Sequence, residues 1–105
     1  EYIVGWGDLK ALKKRDINSH KGQNGKVLII GGSRDFYGAP ILAGLAALKI
    51  ADLVGILSVD KVINKLNNPE FILYKVEGAY LSSQHVDYTL EIAKKYDVVV
   101  LGNGL

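Results

Sequence analysis

A chain of 105 residues is enough for one ordinary domain at most. Apolar residues make up 49% and charged residues 23%, which excludes a disordered tail or a fibrous repeat. The absence of cysteine excludes a disulfide framework and thiolate chemistry, and a net charge of +2 is too mild to argue for nucleic acid.

The first 15 residues read as a short helix over 5–15, with Asp8 in a capping or first-turn position and Leu9 and Leu12 three apart. Residues 16–25 are polar and read as a loop. Lys26 to Ile30 is a β-branched apolar run closed by Gly31-Gly32, the pattern of a strand buried on both faces. Gly38 to Ile50 predicts a helix with Pro40 in its first turn. Ile41, Leu45 and Leu48 are expected to face inward, and the many Ala and Gly residues imply close packing on a sheet. Leu53 to Leu57 predicts a second strand, and Asp60 to Asn67 a short helix capped by Asp60. Phe71 to Val76 predicts a third strand. Ser82 or Ser83 is expected to cap a helix running to Lys95, with Val86, Leu90 and Ala93 as its apolar stripe and Glu91–Lys95 as an i,i+4 pair. Asp97 to Leu101 predicts a fourth, core strand ending in Gly102-Asn103-Gly104. Strand and helix alternate, so the fold class is α/β with a parallel sheet.

Charge is uneven along this order. Residues 1–34 carry seven Lys/Arg against three acids, and residues 35–105 six against eight. The basic third reads as solvated surface, with a phosphate-facing role as the alternative. No basic leader followed by an apolar run is visible. Val27 to Leu48, the longest stretch nearly free of charge, is interrupted by Arg34, Asp35 and several glycines and cannot span a membrane. A cytoplasmic setting is expected. Without any methionine, Glu1 is not a translation start, and both ends read as cut.

In an open parallel sheet, ligands bind outside the carboxyl ends of the strands. Two glycine-rich segments are expected there: Gly31-Gly32-Ser33 through Gly38-Ala39-Pro40, and Gly102-Asn103-Gly104. The first leads into a helix N-terminus, whose free N–H groups favour an anion or a polar oxygen. Neither GxGxxG nor GxxxxGK[ST] occurs, so no dinucleotide fingerprint or P-loop is assigned. The two histidines, His20 and His85, lack metal-ligand spacing, and Asp52 and Asp60 read as caps. The residues by themselves mark a binding edge and no catalytic group.

The run His20-Lys21-Gly22, Gly25, Val27 through Ser33 and Tyr37-Gly38-Ala39-Pro40 resembles the opening of the NAD(P)H-hydrate dehydratase family. The Ala-rich helix and the closing Val99-Val100-Leu101-Gly102-Asn103-Gly104-Leu105 continue the resemblance, which covers roughly Leu9 to Leu105. It implies a ribokinase-like α/β/α sandwich, of which residues 1–105 would be the N-terminal portion of a single domain. It also implies ADP- or ATP-dependent dehydration of the hydrated forms of NADH and NADPH (NADHX and NADPHX), by phosphorylation of the substrate hydroxyl and its elimination. Ala39 and Gly104 would contact the hydrated nucleotide, with Lys21 and Ser33 in support. The family's phosphate loop and its Gly-x-Gly-Asp catalytic aspartate would lie beyond Leu105. So would the ADP or ATP site, with Mg as an optional companion, and no catalytic or metal residue is assigned within this chain. A homo-oligomer and a fused or partner epimerase domain complete what the resemblance implies; no nucleic acid or membrane partner is expected. Two positions depart from the family pattern: Asn103 stands where proline is common, and Ile50-Ala51-Asp52 replaces a glycine-rich connection. A vitamin or sugar kinase of the same fold and a non-catalytic nucleotide-binding module are the alternative readings.

Overall fold

The computed structural model describes residues 25–105. The expected helix over 5–15, the following loop, His20 and Lys21 lie outside the described residues, as do most of the cations of the basic third. Four strands form one sheet: β1 (Lys26–Gly31), β2 (Leu53–Val59), β3 (Phe71–Val76) and β4 (Val98–Asn103). Their order is β3-β2-β1-β4 and every pairing is parallel. Helices α1 (Gly38–Ala47), α2 (Asp60–Ile63) and α3 (Val86–Ala93) connect them, the last entered through a 3-10 turn at Ser83–His85.

Strand alternation divides the core in two. Ile29, Val54, Ile56 and Phe71 meet Ala43 and Ala47 of α1 on one face. Leu28, Ile30, Leu57, Val59 and Val76 meet Ile92 of α3 on the other. A sheet buried on both faces needs apolar residues at successive positions, which is why the strands read as continuous runs rather than alternating ones.

The thin surface expected of α1 is present, but its inward residues differ from the expected set. Pro40 and Gly44 are buried, Ala43, Ala47 and Leu48 pack against the sheet, and Leu45 is exposed. A Cβ on Gly44 would lie 2.9 Å from Ile56 Cδ1 and 3.0 Å from the Phe71 ring. The helix axis therefore approaches closely only because the contact residues are small, and Leu45 is left outside. Helix α3 differs in the same way: Ile92 is its buried residue, whereas Val86 and Leu90 are exposed. Asp60 supplies no side-chain cap to α2, which begins after extended Val59. Strand β4, expected in the core, is an edge of the sheet among the described residues.

On the α3 face, Gly55 leaves room for two tyrosines. Tyr74 and Tyr96 stack edge to face with ring centroids 6.2 Å apart, and their hydroxyls lie 2.9 Å from each other. A Cβ on Gly55 would strike the Tyr96 hydroxyl and sit 2.8 Å from its Cζ. Burial and the hydrogen bond with Tyr74 push the Tyr96 phenol above its usual range.

Candidate functional site

The chain leaves β1 toward β2 on one side and later returns from β3 to place β4 on the other. The loops after β1 and β4 thus flank a topological switch point, where an open parallel sheet forms a crevice. The structure brings the two glycine-rich segments together there. Gly32 donates its N–H to the Asn103 carbonyl at 2.6 Å, and the Ser33 hydroxyl donates to the Gly104 carbonyl at 3.0 Å.

Local backbone chemistry makes this junction. Register between β1 and β4 shifts after Ile30↔Leu101, so that Gly31 faces Asn103 and Gly102 has no partner. Gly102 has φ +118°, and the bulge it forms turns the strand end toward β1. Gly32 at φ +83° is walled in: a Cβ there would lie 2.8 Å from Ser58 Oγ, 2.9 Å from Val62 Cγ2 and 3.0 Å from Pro40 Cγ. Gly104 at φ +73° faces the Phe36 carbonyl oxygen, 2.7 Å from the same test position, and Gly32 Cα at 3.5 Å. Both positions therefore require glycine for conformation and for space.

Ser33 is buried, and its loop closes through paired bonds with Phe36, N–H to carbonyl in each direction at 3.1 and 3.2 Å. Behind it, the Ser58 hydroxyl donates to the Gly31 carbonyl at 2.5 Å. The chain then enters α1 at Gly38, with Ala39 exposed in its first turn. Tyr37 caps α1 without a side-chain bond, and no acidic residue occupies the first turn. Pro40 removes one donor, leaving backbone N–H groups of this turn open to a ligand oxygen. Ala39 and Gly104 thus lie on one edge, joined through Gly32, which touches both Pro40 and Gly104.

The cations near this edge, Arg34 and Lys65, are already engaged. The Arg34 guanidinium bonds Asp35 at 3.4 Å and lies 5.9 Å from the Tyr80 ring centroid, while the Arg34 backbone N–H donates to the Ala79 carbonyl at 2.9 Å. That tie, together with the long 3.5 Å contact to the Tyr80 hydroxyl, joins the loop after β1 to the loop after β3. Sequence reasoning missed it, since nothing local signals a contact across 46 residues. Lys65 Nζ sits 4.4 Å over the Tyr37 ring. His85 fastens the β3–α3 loop: its Nδ1 accepts from the Ser82 N–H at 3.1 Å, and its Nε2 faces the Glu77 carbonyl at 2.9 Å. Asp60 Oδ1, just after β2, and Asn103 Oδ1, at the end of β4, are buried without partners. An unpaired buried acceptor costs about 1–3 kcal/mol, and here two such atoms lie at the carboxyl edge. Among the described residues, no group of three or more His, Cys, Asp or Glu is placed to hold a metal ion, and no helix is long and apolar enough to cross a membrane.

Known proteins share this architecture. A ribokinase-like superfamily protein from Enterococcus faecalis V583 superimposes with TM-score 0.74 at 23% identity, covering all of this chain and 38% of its own. A hypothetical protein from Streptococcus mutans gives TM-score 0.72 at 35% identity, over 90% of this chain and 33% of its own. Among curated proteins, the bifunctional NAD(P)H-hydrate repair enzyme Nnr of Methanocaldococcus jannaschii is 90% identical over the whole chain. The enzyme of the same name from Methanothermobacter thermautotrophicus is 44% identical over 99% of the chain. The chain spans 21% of the length of each of these two relatives. The sequence profile described as NAD(P)H-hydrate dehydratase matches residues 27–105, which include both glycine loops. The chain belongs to the NAD(P)H-hydrate dehydratase family.

Proposed function

We propose that this chain forms the substrate-binding side of an enzyme that dehydrates hydrated NADH and NADPH. The observation that carries this reading is the junction of the two glycine loops at the β1/β4 switch point, held by Gly32 N–H to Asn103 O and Ser33 Oγ to Gly104 O. Family membership supplies the substrate class. The crevice offers backbone N–H groups, glycine surfaces and the small side chain of Ala39. Those groups suit a flat or puckered ring bearing an amide and hydroxyls, which must come close to the backbone to be recognised.

The same residues do not suit a di- or triphosphate. The one arginine among the described residues is engaged by Asp35 and Tyr80, and no lysine-bearing phosphate loop is present. We therefore assign the ADP or ATP to other parts of the protein and route no step of the reaction through residues 25–105. The role of these residues is to bind and orient the hydrated ring. The bifunctional name of the relatives supports a companion activity on the same damaged cofactors, and we propose an epimerase.

Titration of the chain with NADPHX and with NADPH tests the binding role. Tighter binding of the hydrate, weakened by Ala39→Leu, is expected. Failure of both nucleotides to bind a folded chain would refute it. In the longer relative, recovery of reduced-nicotinamide absorbance from NADPHX that requires ADP or ATP is expected. A relative that instead phosphorylates a vitamin or sugar, with no recovery, would replace the dehydratase reading by the kinase.

A further inference from the structure

Two acceptors at the carboxyl edge have nothing to accept. Asp60 Oδ1 and Asn103 Oδ1 are shielded from solvent without a hydrogen-bond partner, whereas the fully buried Ser33 and Ser58 are both bonded. Folded proteins rarely leave such atoms unpaired, so two of them beside one crevice point to donors that arrive with a ligand. Strand phase places both residues on the side of the sheet that α1 covers, where Ile29 and Ile56 pack. Asn103 pairs with Gly31, two residues on from Ile29. Asp60 stands four residues on from Ile56, and Val59 before it is extended, so the alternation of β2 reaches it. The two residues therefore flank the end of β1, one from each neighbouring strand. Two strand spacings, roughly 9.5 Å, separate them across the sheet, room for one six-membered ring with a hydrogen bond on each side.

We infer that Asp60 and Asn103 read the hydrated ring, Asp60 accepting from the hydroxyl that hydration adds and Asn103 from the carboxamide N–H groups. The inference rests on the proposed substrate and deepens it. The backbone N–H groups of the crevice are donors and answer the acceptors of a ligand, which leaves the ligand's own donors to these two atoms. Hydration gives the reduced nicotinamide ring one O–H that NADPH lacks, while the carboxamide is common to both. A carboxylate oxygen makes the stronger bond to a hydroxyl, so Asp60 takes the group that distinguishes the two nucleotides. A site built to bond a hydroxyl rejects the analogue without it, because the buried acceptor then stays unpaired. NADPH would leave Asp60 as it stands in the structure, and the hydrate would satisfy it. A cation is the poorer occupant, since no group of three or more His, Cys, Asp or Glu among the described residues is placed to hold one.

The test titrates the whole protein with NADPHX and with NADPH, without ADP or ATP so that nothing turns over. Asp60→Ala is expected to weaken NADPHX roughly tenfold and to leave NADPH within about twofold, whereas Asn103→Ala should weaken both roughly tenfold. Asp60→Asn keeps an acceptor and should retain most of the preference for the hydrate. Asn103→Ala should not lower the urea midpoint, because it removes an atom that the unliganded fold leaves unpaired. A midpoint that falls together with binding would make Asn103 structural and overturn the inference. So would an Asp60→Ala protein that keeps the original preference or loses both nucleotides equally. An unmodified protein that binds neither nucleotide would refute the proposed substrate and this inference with it, whereas binding that ignores both substitutions would refute the inference alone. Carbon NMR of the Asp60 carboxylate in the unmodified protein covers the case in which a variant fails to fold. A shift with NADPHX and none with NADPH supports the inference, and an equal response to both overturns it.

Discussion

Replacing Gly32 by alanine probes the point where four elements meet. The new methyl would lie 2.8 Å from Ser58 Oγ, 2.9 Å from Val62 Cγ2 and 3.0 Å from Pro40 Cγ. All three neighbours are fully buried, and Ser58 is further fixed by its bond to Gly31. Backbone strain at φ +83° costs about 1–2 kcal/mol. Crowding in a filled core costs about 1–3 kcal/mol more. The reduced entropy of the unfolded chain returns roughly 0.4–1 kcal/mol. A net loss of about 3 kcal/mol is therefore expected for Gly32→Ala. Gly25→Ala isolates the backbone part, because Gly25 has φ +105° and no neighbour within 4 Å. Urea unfolding followed by far-UV circular dichroism measures both variants. The difference between them should be about 2 kcal/mol, the crowding contribution alone. A difference below about 0.5 kcal/mol would refute the claim that Gly32 is required by its surroundings.

Three further outcomes are expected. Gly55→Ala should destabilise the chain by about 1–3 kcal/mol by displacing Tyr96, and Tyr96→Phe should relieve part of that loss, so strict additivity in the double variant would count against the contact. Because the Tyr96 phenol is held above its usual range, its neutral form is favoured in the folded state; that stability is fully present below the ordinary tyrosine pKa of 10.0 and is lost as pH rises beyond it. Urea midpoints should therefore fall as pH rises above about 10, and more steeply than in Tyr96→Phe. Ala39→Leu adds bulk at an exposed position, so it should weaken NADPHX binding roughly tenfold while shifting the unfolding midpoint little, and equal loss of both would make Ala39 structural.

Strand positions were legible because a doubly covered parallel strand is apolar at successive positions, and 27–30 and 53–57 have that form, while 71–76 is an edge strand that still reads as a strand with Lys75 in it. The crevice was legible from the rule that places loops at the carboxyl edge. Its fastening was not, since Ser33 and Gly104 bond across 71 residues and neither side chain marks the other. Helix α1 misled the periodicity argument because large residues normally define an inward face. Here Gly44 brings the helix close enough that alanines define it, and Leu42 and Leu45 are left outside. The exposure of Val86 and Leu90 has another cause: they border an open groove beside β4.

The unpaired residue at Gly102 means that part of the site is encoded by a count of residues. Paired without interruption, β4 would carry its two-residue rhythm past Leu101 and bring Gly102, not Asn103, opposite Gly31. One surplus position resets that phase before the strand ends, and Gly104 then meets Phe36. Gly102 itself has nothing within 4 Å of where a side chain would start. Its contribution lies in its positive φ and in occupying a place in the sequence, not in any side-chain contact, so a survey of side-chain truncations would pass over it. Changes of length are usually tolerated between secondary-structure elements, but here they reach the site from inside one. For β4, the spacing between the last valine and the closing glycine constrains the sequence as firmly as the identity of either.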